Sequence, residues 1–187
     1  AFLVGHSSEY RIDPQRIVLA GDSAGANLAS QLAVLTTSPA YAAEVGISPA
    51  LDPEQLRGVI LNCGIYDVSG IPDAPGITGW GFRMALWSYL GVRDWADSAG
   101  DRQMSTLDWV TADFPATWIS GGNDDPLTAS QSVPLSDKLA SLGVEVDRVF
   151  YLDDHEPKLP HEYQFHLDFA DARAAFGSVV DWLGRVA

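Results

Sequence analysis

The sequence predicts an α/β protein in which a mostly parallel sheet lies between two layers of helices. Its strand-like segments are short, largely apolar and without a regular polar–apolar alternation, which is typical of strands that are buried on both faces. These segments are Arg16–Ala20, Gly58–Cys63, Thr117–Ser120 and Val146–Leu152. Helical patterns and turn residues separate them, and strands that alternate with helices form parallel sheets covered on both sides.

Three segments carry a helical pattern. They are Ala26–Thr37, Ser130–Leu142 and the long amphipathic Leu167–Val186. The last of these could support a homodimer, although packing on the sheet would explain its apolar face equally well.

The segment Tyr66–Phe114 is far longer than an ordinary connection between two elements. It is rich in large apolar residues, among them Trp80, Phe82, Trp87 and Tyr89. Two interpretations stay open. The segment is either a helical lid that supplies apolar walls for a substrate, or a core helix whose aromatic rings pack on the sheet.

Composition excludes several classes of protein. The chain has 187 residues, enough for one domain with a full core, and a net charge of −14. It has no cluster of basic residues, so nucleic-acid and membrane-surface partners are not expected. Neither a membrane span nor a signal peptide is recognisable, and we expect a soluble, cytoplasmic protein. The single cysteine, Cys63, excludes an internal disulfide and is predicted to be a buried core residue.

The pentapeptide Gly21-Asp22-Ser23-Ala24-Gly25 lies where the first strand gives way to the first helix. A G-x-S-x-G motif between a strand and a helix is typical of a nucleophile elbow, a tight turn that strains the serine backbone and exposes Oγ. A Cβ at either flanking glycine is expected to clash in such a turn. Ser23 is therefore the predicted nucleophile.

A serine nucleophile needs a histidine to take its proton and usually a carboxylate to orient that histidine. Three histidines follow the last strand, where a catalytic histidine is expected: His155, His161 and His166. We favour His161, because Pro160 keeps the preceding chain extended. His155, in an acidic turn, is the alternative. His166 is assigned to a helix surface or the core.

The orienting carboxylate is expected at the end of the third strand, where Asp124 and Asp125 are adjacent. Asp125 directly precedes Pro126, which disfavours a helical backbone at Asp125 and fixes its carboxylate in a turn. We favour Asp125 as the acid, and Asp124 is the alternative. If Asp125 is the acid, Asp124 is explained as a residue that caps the turn.

The order Ser23, Asp125, His161 is that of the α/β-hydrolase fold. Together with the GDSAG motif, Asp125-Pro126-Leu127 and a histidine followed by an aromatic residue, it resembles the hormone-sensitive-lipase-like group of bacterial carboxylesterases. The resemblance implies that Ser23 is the acyl nucleophile, His161 the base and Asp125 the orienting acid. It also implies that Ala24 donates an N–H to the oxyanion hole, and that short-chain acyl esters are hydrolysed without a metal or cofactor.

The resemblance is incomplete at the N-terminal side. The family's nucleophile follows the fifth of eight strands, whereas 22 residues precede Ser23 here. The His-Gly-Gly-Gly loop that supplies further oxyanion donors is absent, and the sole Gly-Gly pair, Gly121-Gly122, belongs to the acid strand. We therefore expect residues 1–187 to be an N-terminally truncated portion of the domain, with residues 66–114 as the lid candidate. Full activity is expected to need the missing N-terminal half.

The expected partner is a small-molecule ester, and association with the missing segment or a second copy is also open. The same triad would serve an amidase, a formamidase or a lactonase. A non-catalytic binding protein on this scaffold is the more distant alternative.

Overall fold

The predicted parallel α/β sheet is confirmed. The computed structural model describes residues 2–69, 71, 76–96 and 98–187. Its four strands are all parallel and lie in the order β1-β2-β3-β4. They are β1 Ile17–Asp22, β2 Leu56–Asn62, β3 Ala116–Gly121 and β4 Val146–Phe150.

The α-helices of the described residues lie before, between and after the strands. They are α1 Phe2–Gly5, α2 Ser7–Tyr10, α3 Ala24–Thr37, α4 Pro39–Val45, α5 Gly76–Leu90, α6 Ala99–Met104, α7 Val133–Ser141 and α8 Ala170–Val186. Within the described part of the chain, none of these helices combines the length and hydrophobicity that crossing a bilayer requires.

Alternate residues along the strands build a separate core on each face of the sheet, as the two-residue period of a strand requires. Leu61 and Ile119 belong to the core that contains buried residues of α3 and α7. Trp118 belongs to the second core, with Ala175 and Trp182 of α8. The sheet therefore carries helices on both faces, in the three layers expected.

Small residues allow the helices to approach the sheet closely. In α3, Ala26, Ala29 and Ala33 are all buried. On the opposite face, a Cβ on Gly58 would lie 2.5 Å from the ring of Trp182. A larger residue at position 58 would therefore displace α8.

The strand boundaries differ from the predicted ones where non-local contacts decide them. β1 continues past Ala20, because Asp22 still pairs with Asn62. β4 ends before Leu152, whose carbonyl oxygen accepts a hydrogen bond from the side chain of Asn123.

The helix boundaries also shift. α8 begins at Ala170 rather than Leu167, because Phe169 has an extended backbone with φ −71° and ψ 137°. The predicted helix Ser130–Leu142 is divided into a π-helical turn, Thr128–Ser132, and α7.

The segment Tyr66–Phe114 contains α5 and α6, and residues 70, 72–75 and 97 of it lie outside the described residues. Some of its described side chains form a small core of their own, with Val68, Ile71, Leu86 and Trp95 buried in it, whereas Tyr66, Val110 and Phe114 belong to the core of the sheet that contains Leu61 and Ile119. Among the described residues, the small core contains no strand residue, so its side chains pack mainly on one another. The function of the segment as a lid stays a prediction.

Candidate active site

Ser23 lies at the junction of β1 and α3 with φ 50° and ψ −119°, a backbone conformation that a non-glycine residue rarely adopts. Two contacts hold it there. Its N–H donates to the carbonyl oxygen of Asn62 at 2.8 Å, and its carbonyl oxygen accepts from the N–H of Asn27 at 3.2 Å. The sheet on one side and the first turn of α3 on the other therefore fix the strained turn.

The two glycines that flank Ser23 differ in how much space they have. A Cβ on Gly21 would lie 2.1 Å from the carbonyl oxygen of Gly25, which no side-chain rotation can relieve. A Cβ on Gly25 would meet nothing closer than Asp22 Oδ1 at 3.9 Å. The expected clash at both flanks is therefore wrong for Gly25, because this residue lies in the first turn of α3 with open space at its Cβ position.

This difference predicts opposite outcomes for two matched substitutions. Gly21→Ala is expected to lower the free energy of unfolding by at least about 2 kcal/mol, because the backbone must shift to relieve the overlap. Gly25→Ala is expected to leave stability unchanged or raise it by up to about 1 kcal/mol, since alanine favours the helix. Urea unfolding of both variants checks this, and equal destabilisation would contradict it.

His161 lies on the loop between β4 and α8 and joins Ser23 to Asp125. Its Nε2 is 3.0 Å from Ser23 Oγ, and its Nδ1 is 2.9 Å from Asp125 Oδ2. The Asp125 side chain is only 1 % exposed, and its Oδ1 accepts from the N–H of Leu127 at 2.9 Å. With the proton on Nδ1, the imidazole donates to the carboxylate and presents a lone pair on Nε2 to the serine hydroxyl.

The electrostatics of this arrangement favour the imidazolium ion. The hydrogen bond to the Asp125 carboxylate raises the pKa of His161, and a smaller contribution from the Cys63 side chain acts in the same direction, while burial opposes both. A base of raised pKa holds a transferred proton more firmly, and it is neutral only at higher pH.

The alternative residues lie elsewhere. His155 Nε2 is 3.2 Å from Asp171 Oδ1, and its ring packs against Tyr151. Asp124 is exposed. The structure therefore brings together Ser23, Asp125 and His161, whose catalytic roles remain predictions.

A cavity of about 280 Å³ opens beside Ser23. Ala24, the first residue of α3, lines it next to the serine, and its role as an oxyanion donor stays a prediction. The other lining residues, most of them apolar, come from α3, α5, the end of α6 and the chain that follows β2: Asn27, Leu28, Ile65, Ile71, Phe82, Ala85, Leu86, Tyr89 and Met104.

Two amide side chains attach the segment Tyr66–Phe114 to the rest of the domain. The sequence analysis did not single them out. Asn27 Nδ2 donates to the carbonyl oxygens of Ile65 and Met104 at 2.8 and 2.9 Å. Gln131 Oε1 accepts from the N–H of Tyr66 and of Asp67, both at 2.8 Å. The segment Tyr66–Phe114 is thus held at its beginning and at Met104. An amide side chain within a helical pattern gives no local signal of such contacts.

Cys63 is buried, as predicted, but it also lies beside the site. Its Sγ accepts from the N–H of Glu162, the residue after His161, at 3.4 Å. Among the described residues, Cys63, Asp125 and His161 form the one group whose ligand atoms could hold a metal ion, since they lie within 4.8 Å of one another. Two of the three already belong to the hydrogen-bonded chain to Ser23, so we assign the group to that chain.

The fold and the site define a class: a parallel sheet with a serine on a strained strand-to-helix turn and an acid and a histidine on later loops. A family model described as alpha/beta hydrolase fold matches residues 1–163. The chain belongs to this family. The resemblance to hormone-sensitive-lipase-like esterases is thereby confirmed at the level of the fold. None of the curated proteins compared with the sequence matches it significantly.

Several solved structures are similar to this chain. Esterase B from Lactobacillus rhamnosis superposes with a TM-score of 0.79 at 21 % identity, over 99 % of this chain and 58 % of the esterase. An esterase from Pyrobaculum calidifontis has a TM-score of 0.68 at 19 % identity, over 100 % and 58 %. Carboxyl esterase 2 from Tuber melanosporum has a TM-score of 0.71 at 18 % identity, over 99 % and 58 %. The chain thus spans less than two thirds of each of these proteins.

Proposed function

We propose that this protein is a serine carboxylesterase that hydrolyses short-chain acyl esters through Ser23, His161 and Asp125. The observation that carries the proposal is the continuous hydrogen-bonded chain from Ser23 Oγ through both ring nitrogens of His161 to the buried Asp125. The proposal is also supported by the three similar structures above, which are all esterases.

In the proposed reaction, His161 Nε2 takes the Ser23 proton as Oγ attacks the acyl carbon. The resulting imidazolium is stabilised by Asp125, and Ala24 N–H donates to the developing oxyanion. His161 then gives its proton to the leaving alcohol, which leaves an acyl group on Ser23. Water hydrolyses this acyl-enzyme by the same steps, with His161 again acting first as base and then as acid.

The cavity beside Ser23 supports a small acyl or alcohol group. Its volume of about 280 Å³ is just below the range found for ligand pockets, about 300 to 1,000 Å³. Apolar walls favour hydrocarbon over charged groups. Esterase B, one of the similar structures, is inhibited by a C4-C4 SN3 tributyrin phosphonate.

A substrate panel tests the proposal. It comprises p-nitrophenyl esters from acetate to decanoate, the matching anilides and a set of lactones. The proposal expects Ser23-dependent hydrolysis that is fastest on the short esters. Faster hydrolysis of anilides or lactones than of esters would instead indicate an amidase or a lactonase. Saturable binding without turnover would indicate a binding protein.

Filling the cavity is expected to shorten the preferred acyl chain. Ala85→Phe places a ring where Ala85 of α5 lines the cavity, so kcat/KM for hexanoate relative to acetate should fall by about 10-fold or more, since one methylene in a fitted pocket is worth about 10- to 200-fold. Trp87→Phe is the matched control, because Trp87 lines a different cavity on α5. An unchanged hexanoate-to-acetate ratio in Ala85→Phe would contradict this placement of the acyl group.

A further inference from the structure

One side chain, that of Asn123, holds both arms of the loop that carries His161. Its Nδ2 donates to the carbonyl oxygens of Leu152 and His155, at 3.1 and 3.0 Å. Its Oδ1 accepts from the N–H of Leu159 at 2.9 Å. The two acceptors precede His161 by nine and six residues and the donor, Leu159 N–H, precedes it by two, so a single amide holds both ends of this stretch of the loop.

The backbone around Asn123 reinforces this contact. The N–H of Asp124 donates to the carbonyl oxygen of Leu159 at 3.0 Å. A Cβ on Gly122 would lie 2.1 Å from the same oxygen, so only glycine allows the two segments to approach this closely. Leu159 itself is fully buried. The loop therefore rests directly on the turn that follows β3.

The spacing of these contacts connects them to the proposed triad. Asn123 precedes Asp125 by two residues, and Leu159 precedes His161 by two residues. The hydrogen bond between Asn123 and Leu159 and the one between Asp125 and His161 thus join the same two segments, one after the other. The hydrogen bond to Asn123 therefore holds Leu159, and with it the chain just before His161, against the turn that carries Asp125.

We infer that Asn123 is a positioning residue, which acts through the loop to keep His161 Nδ1 on Asp125 and Nε2 on Ser23. This inference rests on the proposed function. The His161 side chain is 36 % exposed, so surrounding side chains alone do not enclose it. A displacement of about 1 Å in a reacting group typically costs about 100-fold in rate.

The test compares Asn123→Ala with Asp124→Ala. Asp124 is exposed, and its backbone N–H, which alanine retains, makes its contact with Leu159. We expect Asn123→Ala to lower kcat for p-nitrophenyl acetate by about 10- to 100-fold with KM within about twofold. The low-field proton NMR signal of His161 Nδ1–H should broaden or disappear in this variant. Asp124→Ala should retain both the rate and the signal.

A merely structural role predicts a different pattern, in which Asn123→Ala lowers the melting temperature while the folded fraction keeps its kcat and its NMR signal. That result would overturn the inference. If Asn123→Ala does not fold, Asn123→Ser, which keeps one donor and one acceptor, is measured in the same way and is expected to show a smaller loss of both readouts.

The NMR signal does not depend on turnover, so it separates this inference from the proposed function. Absence of Ser23-dependent hydrolysis in the full-length wild-type protein would contradict the proposed function, and the NMR signal would still decide the role of Asn123. Normal wild-type hydrolysis with an unchanged Asn123→Ala variant would overturn the inference alone.

Discussion

Ser23→Ala is expected to lower kcat/KM for p-nitrophenyl acetate by about 10⁵- to 10⁶-fold, because no acyl-enzyme can form without Oγ. His161→Ala should cost a similar factor, since the hydroxyl is a poor nucleophile without a base 3.0 Å away. The double variant Ser23→Ala with His161→Ala should be no slower than either single variant, because the two residues act as one unit. Initial rates at several enzyme concentrations measure all three.

A matched control separates a catalytic effect from a general effect of losing a hydroxyl. Ser130 is exposed, and its Oγ donates to the carbonyl oxygen of Pro126, so Ser130→Ala should keep the wild-type rate within about twofold. Comparable activity in Ser23→Ala and the wild-type protein would show that another group attacks the ester. Additive losses in the double variant would show that Ser23 and His161 do not act together.

Asp125→Asn has the second largest expected effect, a loss of about 10⁴-fold in kcat. Oδ1 of Asp125 accepts from the N–H of Leu127, so an asparagine would keep its oxygen there and turn its NH₂ group toward His161 Nδ1. Nδ1 would then have to be the acceptor, which moves the ring proton to Nε2. In this tautomer His161 cannot accept the proton of Ser23.

The same substitution is expected to move the pH profile of kcat/KM in a defined direction. Only neutral His161 can act as the base, so activity is present above its pKa and is lost as the pH falls through it. Because the Asp125 carboxylate raises the pKa of His161, the acid limb of the wild-type profile should lie above 6.5. In Asp125→Asn the limb should shift to lower pH. A shift to higher pH would contradict the assigned contact.

Much of the fold was predictable because it depends on local patterns. Short, largely apolar segments between turn residues indicated the four strands, and the change from strand to helix at Gly21–Gly25 located the turn that the structure shows. The boundaries were less predictable, since they depend on partners far along the chain. Asp22 stays in β1 because Asn62 lies beside it, and nothing near Asp22 in the sequence reports that contact.

The candidate site divides in the same way. Ser23 and Asp125 stand in recognisable local motifs, and the choice of His161 used its position after the last strand. The supporting residues Asn27, Gln131 and Asn123 could not be predicted, because each is an amide whose partners are 29 to 77 residues away in most of its contacts. Such contacts are set by tertiary packing, and a polar side chain in a helix or loop is ordinarily solvated.

Intact-mass analysis after treatment with a fluorophosphonate tests most directly whether His161 activates Ser23. The probe reacts with an activated serine, so the natural substrate does not need to be known. We expect one adduct per wild-type molecule, located at Ser23 by peptide mapping, and no adduct in Ser23→Ala or His161→Ala. A folded full-length protein that forms no adduct, or one that is labelled equally in His161→Ala, would contradict the claim that His161 activates Ser23.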